Sequence, residues 1–308
     1  MPVPPLVIVV GIQKSGTTLL NRLLLGTGLF LPIGSGEADA FWGNEPPFSP
    51  VGEPVGRLRI ERGDDFGHQL DAEQATPEVI EMMHQRLAEV AEVSPRPAIA
   101  FLTKSPYHAV RLPWIRSVFP QARVVCMVRR PEANIFSLTK KHVPHTGRGL
   151  PPDDDGWWGV KPAGWRRLLD PDPVRQCLNQ WIATNERILA TLDPLDVVID
   201  YATLCHRPQA TMKHLTLNAG GDPSRLDGIP TGIEPRDEEF LTGSTLRSKN
   251  RLFRATGTFE TPSEETIEHP PLAESQREEI LTATRKVWSR ARELATTVIT
   301  ATEGEDRT

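Results

Sequence analysis

VVGIQKSGTTLLNRLL, residues 9–24, joins an apolar run to a turn bounded by Gly11 and Gly16 and then to a leucine-rich segment. The run at 7–10 is continuous and mostly β-branched, which reads as a strand buried on both faces, as in a parallel sheet. Residues 17–25 have helical character and stop near Gly26 and Gly28. Strand, loop and helix in that order present backbone N–H groups to an anion at the helix N-terminus. The two loop glycines have the spacing of G-x-x-x-x-G-K-[ST], the triphosphate loop. Thr17 and Thr18 nevertheless follow the second glycine, and the only lysine, Lys14, lies inside the loop. The amides of Ser15, Gly16, Thr17 and Thr18 form the expected phosphate nest, with the two threonine hydroxyls as further donors and Lys14 as a point charge. A plain strand-to-helix turn is the alternative reading.

Three more strand–helix units follow the first. Residues 98–104 read as a strand before a helix at 107–119, 123–129 as a strand before a helix at 132–142, and 196–201 as a strand before a helix at 208–219. Such alternation predicts an α/β fold with a P-loop-like parallel sheet and helices on both faces, in a single domain with long loops. The domain is expected over 1–302, with 303–308 as a flexible tail. Thr76-Pro77-Glu78 opens a helix running to about Val93, by cap, first-turn proline and early acid. Residues 32–67 are rich in proline, glycine and acid and read as a long functional loop anchored by Phe41, Trp42 and Phe48. Residues 143–165 carry Trp157, Trp158 and Trp165 and read as a lid or a surface insertion, the tryptophans either covering an acceptor or anchoring the loop. A basic loop at 246–257 precedes a final helix at 273–298.

Composition narrows the partners. A net charge of −5 over 308 residues argues against a broad nucleic-acid surface, so any anion site is local. The three cysteines, Cys126, Cys177 and Cys205, are odd in number and widely spaced, which suggests neither a disulfide framework nor a zinc site. The apolar run at 6–10 is too short for a secretory signal, and 19–31 is broken by Arg22 and two glycines, so no membrane span is read. A soluble, cytoplasmic protein is expected.

The strand at 124–128 ends in Arg129 and Arg130 where a triphosphatase would place a magnesium-binding Asp. Arginine there suggests a second anion, held without a metal. At this point a family resemblance emerges. IQKSGTTLL resembles the phosphosulfate loop of the sulfotransferases that use 3'-phosphoadenosine 5'-phosphosulfate (PAPS). VRRPEANIFS is similar to their 3'-phosphate motif, an arginine at a strand end with a serine eight positions later, here Arg129 and Ser137. The stretch from Leu102 through Lys104-Ser105-Pro106 resembles the K-[ST]-P segment of the carbohydrate and bacterial small-molecule branches, and VVIDYATLCHRP their nucleotide-supporting segment. The sequence departs from the pattern at Gln13, where proline is usual, at Leu19, where an aromatic is usual, and at Arg130, where Asp or Asn is common. The late R-K-G-x-x-G segment is echoed only faintly, by RLFRATG.

The resemblance implies PAPS as co-substrate, no metal, and sulfuryl transfer to a hydroxyl or phenol of a small-molecule acceptor. Lys14 would neutralise the leaving phosphate, and Lys104 would polarise the sulfonate or fix the acceptor, against a solvated lysine at a strand end. Tyr201 would line the adenine, against a core tyrosine, and Arg254 would assist at the 3'-phosphate. The acceptor needs a base: Glu37 in GSGEADAFWGNEPPF is the first candidate by resemblance, Glu45 the second, and His108 the third because histidine titrates near neutrality. An atypical P-loop kinase and a non-catalytic nucleotide-binding protein are the alternative functions. Oligomeric state is not legible.

Overall fold

The computed structural model describes residues 5–34, 38–42, 64–94, 98–142, 157–247 and 266–305. Five strands form one parallel sheet: β1 (Leu6–Val10), β2 (Phe30–Pro32), β3 (Ala100–Lys104), β4 (Arg123–Val128) and β5 (Val197–Asp200), in the order β2-β3-β1-β4-β5. Val9 is paired with Lys104 on one side of β1, and Val10 with Cys126 on the other; Val128 in turn is paired with Asp200. That register brings the ends of β1, β3, β4 and β5 to a common edge.

Both faces are covered because side chains alternate across each strand. Leu6, Ile8 and Val10 pack against α3 (Pro77–Glu92) and α4 (Leu112–Val118), with contributions from the long helices α6 (Pro173–Thr191) and α10 (Glu274–Glu305). Val7 and Val9 face the opposite way, onto α1 (Thr17–Gly26), α7 (Tyr201–His206) and α8 (Pro208–Asn218). Ile8, Val9 and Val10 have no exposed surface, and each contributes about 1.5–3 kcal/mol by burial. A third apolar cluster joins Ile135 and Leu138 of α5 (Pro131–His142) to Trp181 of α6 and Ile280 of α10. The helix after β1 and the helices after β4 thus lie on opposite faces, leaving a crevice between the ends of β1 and β4, where open α/β sheets bind ligands.

Several elements differ from the sequence expectation. The helix expected over 107–119 is a 3-10 turn, Pro106–Val110, followed by α4, with Arg111 between them in a conformation that is neither helical nor extended, at φ −124° and ψ 6°. Pro113 lacks an N–H and would clash with a preceding carbonyl, so the chain restarts the helix around it. Helix α6, the edge strand β2, the short helices α2 (Asp39–Trp42), α7 and α9 (Glu239–Thr242), and the hairpin β6 (Ser244–Arg247) with β7 (Thr266–His269) belong to segments that periodicity leaves unassigned or reads as loop. The last helix extends to Glu305. The three cysteines are buried and free, and burial pushes the Cys126 thiol up to about 12. Among the described residues, no helix is long and apolar enough to cross a membrane.

Candidate functional site

The glycine loop occupies the crevice. Lys14 adopts φ 68° and Gly16 φ 107°, both in the left-handed region. For Lys14 this conformation costs about 1–3 kcal/mol and persists because its surroundings hold it. A β-carbon at Gly16 would stand 2.5 Å from Tyr201 Cδ2, and one at Gly11 would stand 2.6 Å from the Met127 carbonyl oxygen, so both positions require glycine. Helix α1 has no side-chain cap. Its own ladder begins with Leu20 N–H donating to the Gly16 carbonyl at 3.1 Å, so the amides of the first turn at Thr17 and Thr18 precede it. Ser15 departs from the expected nest: its N–H donates to the Ile12 carbonyl at 3.2 Å, and its hydroxyl is buried without a partner beneath the loop. The nest therefore narrows to Gly16, Thr17 and Thr18.

Arg129, at the end of β4, is almost fully buried and reaches back to the loop. Its Nη1 donates to the Lys14 carbonyl at 3.0 Å, Nη2 to the Arg236 carbonyl at 2.6 Å, and Nε to Asp237 Oδ1 at 2.7 Å. The guanidinium carbon lies 4.5 Å from the centre of the Tyr201 ring. Tyr201 is thus a buttress between Gly16 and Arg129, with one ring face taken by the guanidinium, and not the open adenine-lining ring that the resemblance implies. Three of the five N–H groups of Arg129 are engaged in these bonds, which leaves two for an anion. Asn134 of α5 donates from Nδ2 to the Gln13 carbonyl at 2.9 Å. Ser137 lies one turn further along α5, buried, on the same face.

Charge concentrates here despite the acidic chain. Lys14 reaches solvent but is crowded by protein atoms. That desolvation first, then Lys141, Lys140 and Arg129, lower its ammonium from the ordinary 10.5 to about 8, with Glu239 opposing. Lys140 donates to Glu239 Oε2 at 2.6 Å and to Ser244 Oγ at 3.0 Å. Burial and the neighbouring Asp237 charge raise the carboxyl of Asp200, at the end of β5. Lys104 ends β3 beside β1, buried at the same sheet edge.

His108 does not belong to this cluster. It has no exposed surface, packs edge-on to Trp42 at 4.7 Å, and its Nε2 lies 3.3 Å from Thr103 Oγ1. Burial, with Arg111 and Lys104 nearby, pushes its conjugate acid down to about 3. A sealed, neutral imidazole of that weak basicity packs the core and is set aside as the acceptor's base. Glu37, Glu45 and Arg254 lie outside the described residues. Trp157 and Trp165 are fully buried and pack edge-on at 5.6 Å, so they anchor their segment. That segment touches the loop: a β-carbon at Gly159 would stand 2.2 Å from Gln13 Nε2. Gln180 Nε2 fixes it further by donating to the Trp158 and Val160 carbonyls at 3.0 and 3.2 Å.

Sequence reasoning missed Asn134, Asp237 and the Lys140–Lys141 pair. The spacing Asn134, Ser137, Lys141 on one helical face was the available signal for two of these positions.

The model of the sulfotransferase family matches residues 5–220, which takes in the loop, all five strands of the sheet and helices α1 to α8. The chain belongs to the sulfotransferase family. Protein-tyrosine sulfotransferase 1 of Danio rerio is 23% identical over 215 residues, covering 68% of this chain and 52% of that protein. The chain therefore spans about half the length of that relative. A sulfotransferase from Alicyclobacillus acidocaldarius shares the fold, with a TM-score of 0.52 at 15% identity over 95% of this chain and 96% of that one. The sulfotransferase domain from the curacin biosynthetic pathway aligns with a TM-score of 0.44 at 19% identity, over 92% of this chain and 98% of that one. Family membership replaces the kinase alternative.

Proposed function

We propose that this sulfotransferase moves a sulfuryl group from PAPS to a hydroxyl or phenol of a small molecule. The observation that carries the reading is the uncapped start of α1, entered through a strained loop whose Lys14 stands at the mouth among further cations. The amides of Gly16, Thr17 and Thr18, with the two threonine hydroxyls, suit the 5'-phosphosulfate end of the donor. Arg129 and Ser137 suit its 3'-phosphate, Arg129 through its two remaining N–H groups, with Arg254 a further proposed contact. In the reaction an acceptor oxygen bonds to sulfur as the bond from sulfur to the 5'-phosphate oxygen breaks, leaving adenosine 3',5'-bisphosphate (PAP). Lys14 neutralises charge where it grows, on the leaving oxygen. Lys104, at the same sheet edge, orients the sulfonate or the acceptor. The acceptor's proton goes to a carboxylate, Glu37 first and Glu45 second. The likeness to a tyrosine sulfotransferase supports a phenolic acceptor class.

The test is PAP release from PAPS in the presence of a panel of phenols and alcohols, followed by chromatography. Lys14→Ala is expected to lower kcat by about 100- to 1000-fold, the usual loss when one donor to a developing oxyanion is removed. Turnover of Lys14→Ala at the wild-type rate overturns the leaving-group role.

A further inference from the structure

We infer that Asn134 is a positioning residue for the donor loop, holding the Gln13 carbonyl away from the anion so that the amides of Gly16 to Thr18 face it; this rests on the donor-binding reading above. A loop that binds an anion through its amides must point its carbonyls elsewhere, since a carbonyl oxygen at the mouth would repel the ligand. Three successive carbonyls have such partners here. Ile12 C=O accepts from Ser15 N–H at 3.2 Å, Gln13 C=O from Asn134 Nδ2 at 2.9 Å, and Lys14 C=O from Arg129 Nη1 at 3.0 Å. Two of the donors come from a single connection, the end of β4 and the first turns of α5, so this connection sets the loop's shape from one side.

Asn134 suits the task chemically. It has no exposed surface, so water cannot take its place, and its Oδ1 is buried with no hydrogen-bond partner. An asparagine whose acceptor half goes unused is kept for its donor half. Its donor acts on a position whose backbone has no ring to restrain it, because Gln13 stands where the resemblance expects proline. The Gln13 side chain, closed against Gly159, holds the same residue from the other side.

Asn134 has no contact with the nucleotide in this account, and that separates it from Arg129 and Ser137. Losing it should loosen the 5'-phosphate site, common to PAP and adenosine 5'-monophosphate (AMP), and leave the contribution of the 3'-phosphate intact. The experiment measures the affinities of wild type, Asn134→Ala and the volume-preserving Asn134→Leu for both nucleotides, with thermal melting of each ligand-free protein. Thr139→Ala serves as control; it removes a buried bond from the Thr139 hydroxyl to the Phe136 carbonyl in the same helix. The expected result is about a tenfold or greater loss for PAP and AMP alike in whichever Asn134 variant folds, with an unchanged PAP-to-AMP ratio and a control that binds as wild type. Affinities within twofold of wild type, whatever the melting temperature, overturn the inference, and so does a loss confined to PAP, which would make Asn134 a 3'-phosphate contact. Wild type that binds neither nucleotide overturns the donor reading itself.

Discussion

At Lys14 the backbone turns through the left-handed region while the side chain stands among Lys141, Lys140 and Arg129, and its ammonium is lowered to about 8. Because its folded value lies below that of a free lysine, the folded chain releases this proton first. Between about 8 and 10.5 the group therefore favours folding more as pH rises, and below that window the crowded charge is a cost. Function runs the other way, since only the ammonium can neutralise the leaving phosphate. Donor kcat/KM is expected to fall on the alkaline side with a midpoint near 8, and Lys14→Arg, whose guanidinium stays charged, is expected to move that limb upward. A limb unmoved in Lys14→Arg contradicts the assignment. Lys14, Gly16 and Arg129 were legible because local spacing encodes them: two glycines, a strand end, a helix start. Asn134 and Asp237 were not, because their roles depend on which segments the fold brings against the loop. His108 shows the converse, a residue type suited to catalysis that lies among Trp42 and Thr103 in the core.

Elements with a strong local signal matched expectation closely. Residues 6–10 form β1, and the Thr76-Pro77 start opens α3, where Thr76 Oγ1 accepts from Val79 N–H at 3.4 Å. Helix α6 is the instructive omission. It begins with the same grammar, Asp172 before Pro173, and Asp172 Oδ1 accepts from Val174 N–H at 2.8 Å. Its interior buries Gln176, Gln180, Thr184 and Asn185 beside Cys177 and Trp181, so the apolar stripe is diluted by polar residues that tertiary contacts satisfy only in part. Hydrophobic periodicity is weakest where a helix packs on several elements at once, as α6 does on α5, α10 and the Trp157–Trp165 segment. Asp172→Ala is expected to cost about 1 kcal/mol of stability through loss of the cap, read as a lower denaturant midpoint at unchanged slope. An unchanged midpoint would mean that tertiary packing alone sets the start of α6.

For the whole molecule, alternation of strands and helices was enough to give a parallel sheet covered on both faces, since each strand must bury both its sides. The strand order was out of reach: β2 is three residues long, and nothing local tells it to pair with β3 and not β1. Likewise, the return of the chain after α8, which brings Arg236, Asp237 and Glu239 against Arg129 and Lys140, is a long-range event without a local signature. These contacts join the loop, the β4 end and the later chain into one cationic crevice on an acidic protein. On the proposed reading this crevice holds a nucleotide with phosphates at both the 5' and 3' positions, and titration calorimetry without magnesium, PAP beside AMP, tests that most directly. Charge-assisted hydrogen bonds contribute about 1.5–3 kcal/mol each, so two from Arg129 and Ser137 are expected to favour PAP by roughly 100-fold or more. Equal and weak binding of the two, or binding only of a triphosphate with magnesium, would contradict it.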